Sequence, residues 1–183
     1  MASTKGRLLV ATPLLGDPNF ERTVILMLEH TDEGALGVVL NRPSPLRVDE
    51  ALDDWADQAS DPAVVFIGGP VATGSVIALA RRRGDLPDEA WSDVLPPIGV
   101  LDIGHDAALL AAALDGVRIF TGYAGWGALQ LEAELEEGAW WVVDALPNDV
   151  LTTDPDALWR TVLDRQPPPL RQWARYPQEL GAN

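Results

Sequence analysis

Apolar residues fall along this chain in short runs separated by turn-forming and acidic stretches. RLLVAT at 7–12 reads as a buried strand. TVILMLE at 23–29 is apolar at both alternating sets of positions, as in a central strand covered on two faces. Thr31-Asp32-Glu33-Gly34 supplies a turn, and Ala35–Leu40 returns as a second strand, so 23–40 predicts a hairpin with a loop of four or five residues. Asn41-Arg42-Pro43 ends that strand, because proline has no N–H for the ladder. Residues 49–59 predict a helix, with Leu52, Trp55, Ala56 and Ala59 on one stripe and acids opposite. Further strands are expected at 63–67, running into Gly68-Gly69-Pro70, and at 75–80, 98–103, 117–120 and 140–143. Residues 83–97 read as irregular.

Two more helices follow from capping signals. Asp106 caps a helix through Leu114, with Gly116 suited to a left-handed position after it. Asp154-Pro155 opens a helix whose stripe is Leu158, Trp159, Val162 and Leu163, and Pro167-Pro168-Pro169 stops it. The segment 128–137 carries both signals: Leu129, Leu131, Ala133 and Leu135 alternate, yet Ala, Leu, Gln and Glu favour a helix, ended by Gly138. Helix is the expectation. The tail to Asn183 reads as irregular, packed by Trp173 and Tyr176. Strands and helices alternate without a regular βαβ beat, which predicts an α+β fold in a single domain over 1–183.

Charge changes the picture more than composition does. The chain holds 13 Lys and Arg against 28 Asp and Glu, a formal charge of −15. Such a surface repels a phosphate backbone unless its cations gather on one face, which argues against direct nucleic-acid binding. The bases do gather, at Arg81–Arg83 and at Arg160, Arg165, Arg171 and Arg175, and the former reads as a solvated strand end. With no cysteine, thiolate chemistry and cysteine-based metal sites are excluded. The N-terminal run LLVATPLL is broken by Pro13, so no signal peptide is expected. No apolar stretch reaches the roughly 18 residues of a membrane span. A cytoplasmic protein is expected.

Recognised chemical motifs are absent. Gly68-Gly69-Pro70 lacks the lysine and spacing of a P-loop. The glycine run 122–127 lacks dinucleotide-binding spacing, and Tyr123 and Trp126 crowd it. Asp102, His105 and Asp106 have the residue types of a metal site. Their simpler reading is a loop followed by a helix cap, so no metal or cofactor is expected. Three segments hold residues that structure alone would not choose: 17–23 with Asp17 and Arg22, 41–43 with Asn41 and Arg42, and 122–134 with Trp126, Gln130 and Glu132. A guanidinium can clamp a carboxylate or phosphate with two parallel hydrogen bonds, or else pair with one of the many internal acids. Trp126 fits either a stacking platform or the core.

At these segments the chain resembles the AlgH/YqgE-like family of bacterial proteins. The carrying stretches are GRLLVATPLLGDPNFERTVILMLEH at 6–30, GALGVVLNRP at 34–43, GGPV at 68–71 and GYAGWGALQLEAEL at 122–135, and the match spans about 6–166. The resemblance implies a compact α+β domain with a curved, partly barrel-like sheet flanked by helices. Family members are labelled transcriptional regulators, and no reaction is attached to them. One departure concerns the residue before Gln130-Leu131-Glu132. Family members usually carry glycine there, whereas this chain has Leu129, which implies a stiffer approach to the helix.

The expectation is therefore a cytoplasmic binding or regulatory module acting through a small ligand or protein partner. Asp17, Arg22, Asn41, Arg42, Gly68, Gly69, Trp126, Gln130 and Glu132 would form or border one surface, since all lie at predicted strand ends. The alternative is a hydrolase or transferase with Glu132 or Asp17 as acid/base and Arg42 as anion clamp. It requires a carboxylate with a raised pKa beside an arginine in a concave pocket.

Overall fold

The structure is a computed structural model that describes residues 2–177. Ten strands form one strongly curled, largely antiparallel sheet, a half-barrel with short helices at its ends. In chain order these are β1 (Arg7–Ala11), β2 (Val24–Thr31), β3 (Gly34–Val39), β4 (Pro43–Arg47), β5 (Val64–Ile67), β6 (Val71–Arg82), β7 (Trp91–Leu95), β8 (Ile98–Leu101), β9 (Leu114–Gly127) and β10 (Trp140–Asp144). The helices are α1 (Val48–Ala51), α2 (Ala107–Leu110), α3 (Gln130–Glu136), α4 (Pro147–Val150) and α5 (Leu158–Asp164), joined by 3-10 turns. The main path runs β10-β1-β2-β3-β9-β6-β8-β7. β4 pairs β5, and β5 joins β9 in parallel.

Burial on both sides explains the unbroken apolar runs. Leu8 and Val10 of β1 and Leu26 and Leu28 of β2 face a core that α5 closes with Leu158, Trp159, Val162 and Leu163. Leu9, Ala11, Ile25 and Met27 face the other way, under Leu131, Trp126 and Trp140. A third cluster gathers Trp55, Val65, Ala78, Leu110 and Ile119. Fully burying a side chain of this size contributes roughly 1.5–3 kcal/mol, so each face of β2 is a large share of the fold.

Several expectations need correction. Residues 83–97 are not irregular: β7 forms there, an edge strand needing hydrogen bonds from β8 alone. β4 was not anticipated because two prolines mark it. Pro43 and Pro45 are tolerated since β4 has only one partner, with its register shifted between Pro43 and Arg47. The strand expected at 117–120 is longer, and the glycine run 122–127 is the end of β9. Gly69 and Gly122 let two backbones cross there. A Cβ at Gly69 would lie 2.1 Å from the Tyr123 carbonyl carbon, and one at Gly122 would lie 2.3 Å from the Gly69 oxygen. The predicted helix at 49–59 is one turn of α followed by a 3-10 helix at Asp53–Gln58. That leaves Trp55 buried and the rest of the stripe only half-buried. Asp106 does cap α2, accepting from the Ala108 N–H at 2.9 Å, but the helical stretch stops before Leu114, which opens β9. Asp154 makes no side-chain cap bond. The tail holds a 3-10 helix at Leu170–Arg175, and the remainder of the segment, 178–183, lies outside the described residues. The hairpin forms, but Thr31 pairs with Gly34, so its turn is Asp32-Glu33 rather than a loop of four or five residues; the helix at α3 and the stripe of α5 are as expected.

Arg118 of β9 is the largest fully buried side chain, 2% exposed. Its guanidinium donates to the carbonyls of Thr152 and Asp61, both at 2.7 Å, and lies 4.4 Å over the Phe66 ring. Burial pushes its pKa down to about 10, so it stays charged at neutral pH. It ties β9 to the two loops that flank α1 and α5. Replacing it with methionine strands those carbonyls, so Arg118→Met is expected to lower unfolding free energy by about 2–4 kcal/mol in urea titration.

Candidate functional site

The segment entering β2 and the segment leaving β3 meet at one end of the half-barrel. Asn41 joins them. Its amide nitrogen donates to the Arg22 carbonyl at 2.9 Å, and its side-chain oxygen accepts the Val24 N–H at 3.0 Å. Between those two bonds Arg22 adopts a left-handed backbone conformation, φ 53°. A non-glycine residue there is strained by about 1–3 kcal/mol, and such strain collects at functional sites. Here it aims the Arg22 side chain over the Trp159 ring, 4.3 Å from its centroid. Trp159 is itself fixed, since its indole N–H donates to the Ala11 carbonyl at 2.9 Å.

Arg22, Asn41, Arg42, Glu21, Trp159 and Arg160 line a cleft of about 590 Å³, completed by the turn at Asp154–Ala157. A smaller neighbouring recess, about 160 Å³, shares Arg22 and Trp159 and reaches Tyr176. Two cations face this space. The Arg22 guanidinium donates to the Tyr176 carbonyl, and Arg160 Nε donates to the Ala174 carbonyl at 3.1 Å. Among the described residues neither has a carboxylate at ion-pair distance. Burial, and then the charge of Arg160, lower the proton affinity of Arg22.

Arg42 is placed differently. Its fork donates to the carbonyls of Pro18, Asn19 and Glu21, so it braces the 17–22 loop from beneath. Neither an ion pair nor an open clamp describes it. Asp17 belongs to the same loop, where its carboxylate accepts the Asn19 N–H at 2.9 Å. Gly69 borders the far side of Arg42, in a recess shared with Asn19 and Pro70. Gly68 lies behind it against β9, its position 2.4 Å from the Gly122 oxygen were it to carry a Cβ.

Trp126, Gln130 and Glu132 stand apart. Trp126 is 7% exposed and packs edge-on against Trp140, so it is core rather than a platform. Both indoles donate to Glu134 Oε1, at 3.2 and 3.1 Å. Gln130 accepts the Gly127 N–H at 2.9 Å at the start of α3. Glu132 accepts from His30 Nε2 at 2.7 Å, and that hydrogen bond holds its carboxyl below the usual carboxylate range. The tautomer follows: His30 Nδ1 accepts the Thr4 backbone N–H at 3.0 Å, so the ring proton sits on Nε2. Thr4, His30 and Glu132 thus form a hydroxyl–imidazole–carboxylate chain, but Thr4 is 4% exposed and its N–H occupies the nitrogen a base would need. The chain clamps the N-terminal segment to β2 and α3. A carboxylate with raised pKa beside an arginine is not found at Glu132.

The single surface expected from strand ends is therefore two clusters. One, with Arg22, Asn41 and Arg42 and with Asp17 and Gly69 beside it, opens to a cleft. The other is a packing motif. Trp159, Arg160, Asp154 and Asp156 of the cleft are not marked by the strand-end signal. They read as helix cap, apolar stripe and scattered charge, and only the four-fold run of C-terminal arginines hinted at them. Among the described residues no group of three metal-ligating side chains converges, and no helix is long and apolar enough to cross a membrane.

At one end of the curled sheet Arg22 lies over the Trp159 indole, with Arg160 lining the same cleft. The chain belongs to the AlgH-like family, which matches residues 8–171. It is 51% identical to a UPF0301 protein of Streptomyces coelicolor, over 100% of this chain and 97% of that one. A UPF0301 protein of Mycobacterium tuberculosis is 44% identical, over 97% and 90%. In structure it is similar to a crystal structure from Corynebacterium diphtheriae, with TM-score 0.89, 29% identity, and 96% and 93% of the chains covered. It is also similar to the solution structure of the AlgH protein from Pseudomonas aeruginosa, with TM-score 0.64, 34% identity, and 85% and 84% covered.

Leu129 takes a left-handed backbone, φ 62°, and is 66% exposed. It pays for that conformation without packing in return. Leu129→Gly is expected to raise stability by about 0.5–1 kcal/mol, read as a higher urea midpoint at unchanged slope.

Proposed function

We propose that this chain is a binding module that recognises an anionic group of a small ligand or protein partner at the Arg22–Arg160 cleft, and that it does not grip DNA. The observation that carries this is the placement of Arg22. The chain holds its backbone in a strained conformation with an asparagine clamp, lays its guanidinium on an indole, and sets a second guanidinium against it. Two cations brought together at a cost in self-repulsion, in a chain of charge −15, are better accounted for by a ligand anion than by folding. A guanidinium already backed by an aromatic face loses little freedom when it engages a carboxylate. The volume falls within the roughly 300–1,000 Å³ of small-molecule sites. A polyanion such as duplex DNA meets too much negative surface to approach the same residues.

Asn41 and Arg42 serve here as positioning residues, one for Arg22 and one for the loop preceding it. The acid–base alternative draws no support from Glu132, whose proton affinity shifts the wrong way. Titration with propionate, followed by nitrogen–proton NMR, is expected to give saturable shifts at Arg22, Trp159 and Arg160. Arg22→Lys should weaken binding about tenfold by removing the fork while keeping the charge, and Arg22→Ala should weaken it further. Titrations that leave these signals unmoved would overturn the proposal.

A further inference from the structure

The cleft carries negative charge as well as positive. Glu21, Asp154 and Asp156 line it together with Arg22, Arg42 and Arg160. Asp154 and Asp156 are exposed on either side of buried Pro155, on the 3-10 turn that leads into α5. Arg160 follows Asp156 by four residues, a spacing that on an α-helix brings opposite charges within reach. It does not make one here: Arg160 turns to the Ala174 carbonyl instead. Nor does Arg22 pair with the adjacent Glu21; its hydrogen bond goes to Tyr176. Among the described residues, cations and carboxylates share one cleft with no ion pair between them. Among the described residues the Asp154 carboxylate makes neither a cap bond nor an ion pair.

A simple anion would gain from the arginines and be repelled by the acids. A ligand carrying an ammonium as well as a carboxylate gains from both. We infer that the cleft takes a dipolar ligand, a free amino acid or a short peptide, with its carboxylate on Arg22 and Arg160 and its ammonium on Asp154 and Asp156. This rests on the anion-recognition reading above and names its ligand class. Trp159 forms an apolar floor between the two charged sides, suited to the aliphatic part of such a molecule. Inorganic phosphate, with more negative charge and no ammonium, is disfavoured at the same place.

The test uses the full chain and five probes followed by NMR: alanine, trialanine, N-acetyl-trialanine, propionate and inorganic phosphate. Alanine and trialanine separate a free amino acid from a peptide as the source of the chemistry. The better of the two is expected to bind at least about tenfold more tightly than N-acetyl-trialanine and phosphate, a gap of about 1.4 kcal/mol. The double variant Asp154→Asn/Asp156→Asn should erase that gap and tighten propionate binding, because it removes the carboxylates that repel a simple anion, while leaving the urea midpoint unchanged, since among the described residues neither side chain makes a cap bond or an ion pair. Equal binding of the acetylated and free tripeptides, or tighter binding of phosphate, overturns the inference but leaves anion recognition standing. If no probe shifts Arg22, Trp159 or Arg160, anion recognition itself fails.

Discussion

The site hangs on one side chain that touches no ligand. Asn41 bonds the Arg22 carbonyl and the Val24 N–H at once, tying the residue after β3 to the start of β2 across the rim of the half-barrel. Those two bonds stand in for ladder bonds that the left-handed turn at Arg22 forfeits. Without them the strain at Arg22 has nothing to hold it, and the guanidinium loses its reason to lie on Trp159. Aspartate could accept from Val24 but could not donate to Arg22, so the amide is the chemistry the corner requires.

Arginine use follows a second constraint. In a chain with so many acids, internal ion pairs would be the default, and Arg7, Arg47 and Arg165 do make them. Yet Arg22, Arg42, Arg83, Arg118 and Arg160 donate to backbone carbonyls. The planar fork suits a loop that has turned its carbonyls inward, because one guanidinium satisfies two or three at once. Arg42 does this for the loop at 17–22, and Arg118 does it for two loops that meet behind β9. Of the three arginines lining the cleft, Arg22 and Arg160 each give one nitrogen to a carbonyl of the C-terminal segment.

Much of the fold was legible because burial on both faces of β1 and β2 leaves continuous apolar runs, and because α5 carries its stripe in four residues. β7 and β4 were not legible, since an edge strand needs neither alternation nor freedom from proline. The glycines of 122–127 lie past the strand expected at 117–120, yet they extend β9, and Gly122 answers to a backbone crossing too close for a Cβ. Of the candidate residues, Arg22 and Asn41 meet at the rim of one cleft. At Trp126 the same strand-end signal marked packing. The sequence around Asp154–Arg160 reads as a capped helix, and only the three-dimensional placement of Trp159 under Arg22 reveals its other face. Local pattern reports which residues are unusual for an element; it does not report which unusual residues meet.

NMR of the Arg22 side chain shows whether Asn41 holds Arg22 against Trp159. A guanidinium 4.3 Å above an indole sits in its ring current. The Arg22 Nε proton is expected to resonate upfield of those of exposed arginines in the unmodified chain, and Asn41→Ala is expected to return it to the common position without unfolding the protein. An Arg22 signal already at the common position, or one that Asn41→Ala leaves shifted, would contradict that role of Asn41.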